Sequence, residues 1–303
     1  MRICSFVPSA TEMLYALGLG DSVVGVTHEC DEPAEAARKP VLIRASIDHA
    51  AASSAAIDAA VHESLRSATP LYTLDTEGLR RAAPDLIITQ DLCDVCAIDI
   101  SLVTQALGAL DRRPQVLALH PHTVDESLDQ LRLIGEATGR AGEAGAMLSA
   151  LRERLGRIER LLDGAPRPRV FCLEWLEPPM ASGHWVPQQV ALAGGEEVLG
   201  RAGAASRYVT WDEVAAARPE VLILMPCGFS IDRTRQELPR LKEQACWPKL
   251  PAVQRGQVYL VNGPAYFNRS GPRLVDGVEL LARLLHPDRV PHQRAGATQA
   301  AGL

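Results

Sequence analysis

The residues able to do chemistry in this chain are mostly thiols and imidazoles, and they fall in short segments between apolar runs. Seven cysteines stand at Cys4, Cys30, Cys93, Cys96, Cys172, Cys227 and Cys246. Cys93-Asp-Val-Cys96 is a redox motif or half of a metal site, because a structural zinc ribbon needs a second pair at matching spacing. His28-Glu29-Cys30 and Gly183-His184-Trp185 each put an imidazole beside another side chain able to bind a ligand. His28, Cys30, Cys93, Cys96, His184 and Cys227 form a candidate set for a borderline transition metal, since thiolate and imidazole suit such ions. Against this stands the bland reading of packed thiols and ordinary histidines. Cys4 and Cys172 lie inside predicted strands, where a thiol behaves as a small hydrophobe.

Aromatic residues add a second kind of chemistry. Glu174-Trp175 and His184-Trp185 lie within one loop-like segment, and Tyr266-Phe267 lies in another rich in proline and glycine. Rings outside predicted core elements offer a large contact area to a flat ligand at low entropic cost. The alternative is a loop anchored by its own rings, and the sequence weighs the two evenly.

These residues need a scaffold, and the apolar pattern supplies one. Short β-branched runs alternate with helical patterns, which predicts an α/β fold with parallel sheets. Predicted strands cover Arg2–Val7, Val23–Thr27, Asp85–Thr89, Val116–Leu119, Arg169–Leu173, Val221–Met225 and Val258–Val261. Predicted helices cover Ser9–Leu17, a segment ending at Leu79–Ala83, about Pro187–Ala193, and Pro272–Leu285. Glu77-Gly-Leu-Arg-Arg-Ala-Ala-Pro-Asp-Leu-Ile-Ile and Asp212-Glu-Val-Ala-Ala-Ala-Arg-Pro-Glu-Val-Leu-Ile share one grammar of acid, short helix, proline, acid and strand. The candidate ligands then fall after strand ends, where open parallel sheets bind.

Between the two halves, Thr123-Val-Asp-Glu126 has capping-box spacing, and Gly139 and Gly142 are predicted to divide the helical stretch that follows. From Met147, apolar residues recur every three or four positions, and a helix of about 20 residues spans about 30 Å. The predicted organisation is an N-terminal α/β lobe over 1–122, a helical connector over 123–167, a C-terminal α/β lobe over 168–286, and a flexible tail over 287–303.

Composition narrows the function. A length of 303 residues suits two domains, and 31 basic against 37 acidic residues leave a net charge of −6 without a basic run, arguing against nucleic acid. No apolar run suggests membrane insertion. The first residues lack the pattern of a secretory signal, so the chain as written reads as cytoplasmic, with a periplasmic or cell-envelope location if the true start lies upstream. Dinucleotide, P-loop, nucleophile-elbow and zincin motifs are missing, so the chain reads as a binding protein without a catalytic cofactor.

Ser5-Phe-Val-Pro-Ser-Ala-Thr-Glu12, Leu17-Gly, Val24-Gly-Val, Pro84-Asp-Leu-Ile, Pro178-Pro-Met-Ala-Ser-Gly183, Gly194-Gly195 and Ser270-Gly-Pro-Arg-Leu together resemble the cobalamin-binding branch of the ABC-importer substrate-binding proteins. That resemblance covers about residues 2–286. It implies two Rossmann-like lobes joined by a long connecting α-helix, the class III substrate-binding-protein fold, with ligand held between lobes. It also implies cobalamin or a related corrinoid as ligand and an ABC permease as partner, met by Glu77 and Asp212. Contacts implied for the ligand are His28, Glu29, Cys30, Gln90, Cys93, Cys96, Glu174, Trp175, His184, Trp185, Tyr266 and Phe267. The histidines and cysteines depart from the aromatic or small polar residues of better-known members. Two alternatives therefore stand: a transition-metal or haem carrier, and a thiol redox enzyme using Cys93 and Cys96.

Overall fold

The computed structural model describes residues 1–47, 52–67, 69–90, 106–108, 110, 112–290 and 298–300. The chain divides into two compact units. The first comprises 1–52, 56–121 and 128–148; the second comprises 53–55, 122–127 and 149–303.

The first unit contains β1 (Ile3–Ser5), β2 (Val23–Thr27), β3 (Val41–Ala45), β4 (Tyr72–Leu74), β5 (Leu86–Gln90) and β6 (Gln115–Leu119), in the order β4-β3-β2-β1-β5-β6. All neighbours are parallel except β3 and β4. Its central strands are almost continuously apolar because both faces are covered: Ile3, Cys4, Leu86, Ile87 and Ile88 are buried. Burial pushes the Cys4 thiol up to about 12, so it stays protonated and packs as a hydrophobe.

The second unit contains β7 (Arg169–Trp175), β8 (Met180–Ala181), β9 (Glu196–Glu197), β10 (Arg207–Tyr208), β11 (Val221–Leu224), β12 (Val258–Val261) and β13 (Thr298–Ala300). Their order is β10-β8-β7-β11-β12-β13, with β9 beside β7. The parallel centre β7-β11-β12 buries Phe171, Cys172, Leu173, Leu222, Ile223, Leu224 and Leu260. In the helix Leu274–Leu285, buried Leu274, Val275, Val278, Leu281 and Ala282 form one stripe, while Asp276 and Glu279 both receive Arg154.

Thr123 and Glu126 form the expected capping box: the Glu126 N–H donates to Thr123 Oγ1 at 3.2 Å and the Thr123 N–H to Glu126 Oε2 at 3.1 Å. The helix break falls at Gly139, with φ of +71°, between Val124–Thr138 and Ala141–Leu161. Gly142, expected to share in the break, lies inside the second helix. That 21-residue helix carries the chain from the first unit to the second, with Leu148 grouped in one and Ser149 in the other. In the tail expected to be flexible, residues 298–300 instead add an antiparallel strand to β12. Among the described residues no helix is long and apolar enough to cross a membrane.

The shared grammar of the two halves extends to atomic detail. Helices Thr76–Ala82 and Trp211–Ala217 end in left-handed residues, Ala83 and Arg218, each followed by proline, an acid and a central strand. Arg2 Nε donates to Ala82 O at 2.7 Å, and Arg169 Nε to Ala217 O at 3.2 Å. The Arg2 N–H meets Asp85 Oδ2 at 2.9 Å, and the Arg169 N–H meets Glu220 Oε2 at 3.1 Å. Arg112 and Arg255 complete the clamps at 3.1 and 2.7 Å from Asp85 and Glu220. A generic helix-proline-strand turn does not require these partners.

Candidate functional site

The ends of β7 and β11 bring together most of the described candidates. Glu174, half-buried near the end of β7, accepts a hydrogen bond from Ser206 Oγ at 2.9 Å, while Ser206 Oγ accepts the Gly183 N–H at 3.1 Å. One serine thus ties the carboxylate to the segment carrying His184. Gly183 is required there: a Cβ would stand 2.4 Å from Ala204 O and from Ser206 N. The Cys227 N–H donates to Glu174 O at 3.0 Å, placing the half-buried thiol beside the same strand end.

Trp175 closes β7, its ring 5.3 Å from that of Phe229 and inclined to it by 59°, and the Arg233 guanidinium lies 4.4 Å from the centre of the Phe229 ring. Phe229 is buried, Trp175 half-buried. Three buried polar atoms around β7 and β8 lack a hydrogen-bond partner among the described residues: Trp175 Nε1, Ser182 Oγ and His184 Nδ1. Asn268 Oδ1 is a fourth; its amide Nδ2 lies 3.4 Å from Met225 O, just past β11. Buried polar atoms are nearly always satisfied, so such a concentration marks a place where water or ligand belongs.

His184 adopts φ of +51°, held by its N–H donating to Ala204 O at 2.6 Å and its carbonyl accepting the Gly203 N–H at 2.8 Å. Its ring lies 5.7 Å from that of His122 and 5.7 Å from that of Trp185. Burial, and secondarily His122, pushes its imidazole below the ordinary histidine value, favouring the neutral form.

Two of the expected ligand-facing rings are structural. Trp185 is 4% exposed and donates its indole N–H to Phe267 O at 2.6 Å, and Phe267 is fully buried. This corrects the reading of both as ligand contacts: the loops are anchored by their own rings. Tyr266 remains half-buried, its carbonyl accepting from Gln189 Nε2 at 3.0 Å.

In the first unit, His28 and Glu29 are exposed after β2, with His28 Nδ1 3.3 Å from Ile43 O. Cys30 turns the other way. It is 2% exposed, with its sulfur 3.1 Å from Thr11 Oγ1 and 3.5 Å from Thr27 Oγ1, which sets it apart from exposed His28 and Glu29. Gln90, half-buried, ends β5 opposite Leu119. Cys93 and Cys96 lie outside the described residues. Among those described, no group of three or more His, Cys, Asp or Glu side chains is placed to hold a metal. His28, Cys30, His184 and Cys227 thus form no such group among the described residues.

Glu77 and Asp212 occupy matching places. Each is the second residue of its helix, behind N-caps Asp75 and Thr210, where the positive end of the helix favours an acid. Ser206, Phe229, Arg233, Asn268 and His122 were missed as site residues; position after a strand end pointed to Phe229, but nothing in spacing pointed to Ser206.

Two mixed α/β units carrying polar and aromatic groups at strand ends, with one helix passing the chain between them, define the class III binding-protein architecture. The chain belongs to the periplasmic binding protein family, whose model matches residues 3–265, and is a substrate-binding protein of the ABC-importer type. It is 24% identical over 290 residues to the uncharacterized ABC transporter substrate-binding lipoprotein YvrC of Bacillus subtilis, covering 95% of this chain and 80% of that one. It is 23% identical over 287 residues to the vitamin B12-binding protein of Vibrio cholerae, covering 94% and 88%. The solved periplasmic heme-binding protein of Pseudomonas aeruginosa superposes with a TM-score of 0.72 at 20% identity, covering 96% of this chain and 95% of that one.

Proposed function

We propose that this protein captures a metal-centred tetrapyrrole, cobalamin or a related corrinoid, and delivers it without chemical change to an ABC permease. The observation that carries the reading is the half-buried Trp175, its ring tilted against that of Phe229, with polar atoms of Trp175, Ser182, His184 and Asn268 that have no partner among the described residues around the ends of β7, β8 and β11. A ring system with a polar periphery supplies both the flat surface and the acceptors and donors these groups want. The name of the Vibrio cholerae relative supports a corrinoid; that of the Pseudomonas aeruginosa neighbour supports haem as the second reading. Trp175 and Tyr266 are the rings assigned to the macrocycle, with Glu174, His184 and Cys227 at its edge or metal.

Glu77 and Asp212 are assigned to the permease, supported by their equivalent places at the two helix starts. A cell-envelope location goes with this role, as the lipoprotein relative suggests. Titration of the reduced protein with hydroxocobalamin and, separately, haemin tests the reading. A saturable heat and a shifted absorbance band with the corrinoid support it; saturation with haemin alone moves the assignment to haem, and silence with both refutes it.

A further inference from the structure

His122 and His184 both belong to the second unit, yet they come from different elements: His122 precedes the capped helix Val124–Thr138, and His184 leaves the β7–β8 hairpin. Their ring centroids are 5.7 Å apart with planes inclined by 31°. With metal–nitrogen bonds of about 2.0–2.1 Å and a roughly tetrahedral angle, two imidazoles on one ion have centroids about 5–6 Å apart. The pair already stands at that separation.

Three further features suit an ion. His184 Nδ1 is closed off from solvent and has no hydrogen-bond partner among the described residues, so a coordinate bond would satisfy an atom that is otherwise left wanting. The His184 backbone sits in the left-handed region, uncommon for a residue with a side chain, and is gripped at both N–H and carbonyl by the 203–204 segment. Such a conformation persists only where surrounding structure enforces it, and it is concentrated at functional positions. A carboxylate adjoins His122: Glu126 Oε2 accepts the His122 backbone N–H at 2.7 Å. His122 is exposed, so its ring can change rotamer to admit an ion.

We propose that His122 and His184 bind a divalent transition-metal ion, such as Zn2+, Ni2+, Co2+ or Cu2+, through two imidazole nitrogens, with water or donors of a small chelator in the remaining positions. Imidazole is a borderline ligand suited to these ions. The site differs from the cysteine-rich set suggested by sequence order, which the described residues do not assemble. It takes a bare or chelated ion directly and does not rest on the tetrapyrrole reading.

The test uses the full chain, stripped with chelator and kept reduced, titrated calorimetrically with Zn2+ and Ni2+ and examined with Cu2+ by electron paramagnetic resonance. The expected result is one ion per chain with coupling to two imidazole nitrogens. Affinity should fall at least tenfold in His122→Phe and in His184→Asn, the latter chosen because asparagine tolerates the left-handed backbone. Unchanged melting curves would show that both variants fold; a variant that fails this check is replaced by His122→Gln. Equal affinity in wild type and the folded variants, a thiolate signature in the Cu2+ spectrum, or no binding by wild type would overturn the proposal. Hydroxocobalamin titrated into His122→Phe, which leaves every residue assigned to the macrocycle in place, reports separately on the tetrapyrrole reading.

Discussion

At the scale of single residues, the two tryptophans of the β7–β8 region differ in role although their sequence settings look alike. Trp185→Phe loses the indole N–H bond to Phe267 O and leaves a buried acceptor unmade, so unfolding in denaturant should show a loss of about 1–3 kcal/mol. Trp175→Ala removes a half-buried ring whose Nε1 bonds nothing among the described residues, and should weaken ligand binding by about tenfold or more, as truncating an aromatic anchor does. A Trp175→Ala variant binding as tightly as wild type would remove this ring from the site. The sequence could not separate the two, because aromatic residues in loops have the same signature whether they anchor the loop or face a ligand. Burial by Phe267 and Phe229 decides it, and those contacts are remote in the chain.

Histidine 184 makes a pH prediction at the same scale. Its folded imidazole is depressed, by burial first and then by His122. Between that value and the ordinary unfolded value of about 6.5 the unfolded chain binds more protons, so the stability contributed by the neutral imidazole is complete above about pH 6.5 and is lost as pH falls below it. Glu197 works in the opposite sense. Burial raises its carboxyl to about 7, outweighing backbone N–H bonds from Gly200, Leu199 and Cys172, so its contribution declines as pH rises from the ordinary carboxylate range through about 7. Denaturant midpoints of His184→Asn and Glu197→Gln across pH 4–8 should flatten these two slopes in opposite directions; parallel curves with wild type would refute both assignments.

At the scale of elements, the parallel core was readable and the edges were not. Strands β2 and β12 span the predicted residues, and β5, β7 and β11 are displaced by a residue or two, because fully buried strands advertise themselves as continuous β-branched runs. Strands β8, β9 and β10 have two residues each, too few for any period to register. β3 and the helix Ser54–Arg66 were also missed; the latter is rich in alanine, and its apolar stripe consists of only Ile57, Val61 and Leu65. The repeat was legible as a motif, but its physical content is the pair of arginine clamps. Arg169→Ala should remove the guanidinium bonds to the Ala217 carbonyl and to Glu196, while the backbone N–H of residue 169 keeps its bond to Glu220, and cost about 1–2 kcal/mol, with Arg2→Ala similar through the Ala82 carbonyl. Because the clamps lie in different units, the double variant should show additive losses. Coupling between them in equilibrium unfolding would contradict that independence.

At the scale of the whole molecule, the family assignment rests on matching 3–265, and the ligand rests on chemistry that single residues supply. The two matched acids give a prediction that separates capture from delivery. Glu77→Lys and Asp212→Lys reverse charge at exposed helix starts that carry no proposed ligand contact, so ligand affinity should stay within about twofold while uptake through a cognate permease fails. Uptake unaffected by both reversals would exclude these acids from docking. The most direct test of capture itself is calorimetric titration of the full, reduced protein with hydroxocobalamin, followed in parallel by its visible absorbance. Saturation at one ligand per chain, weakened by Trp175→Ala but not by Glu77→Lys, is the predicted result; no heat and an unaltered spectrum at concentrations where the ligand exceeds the protein tenfold would contradict the account.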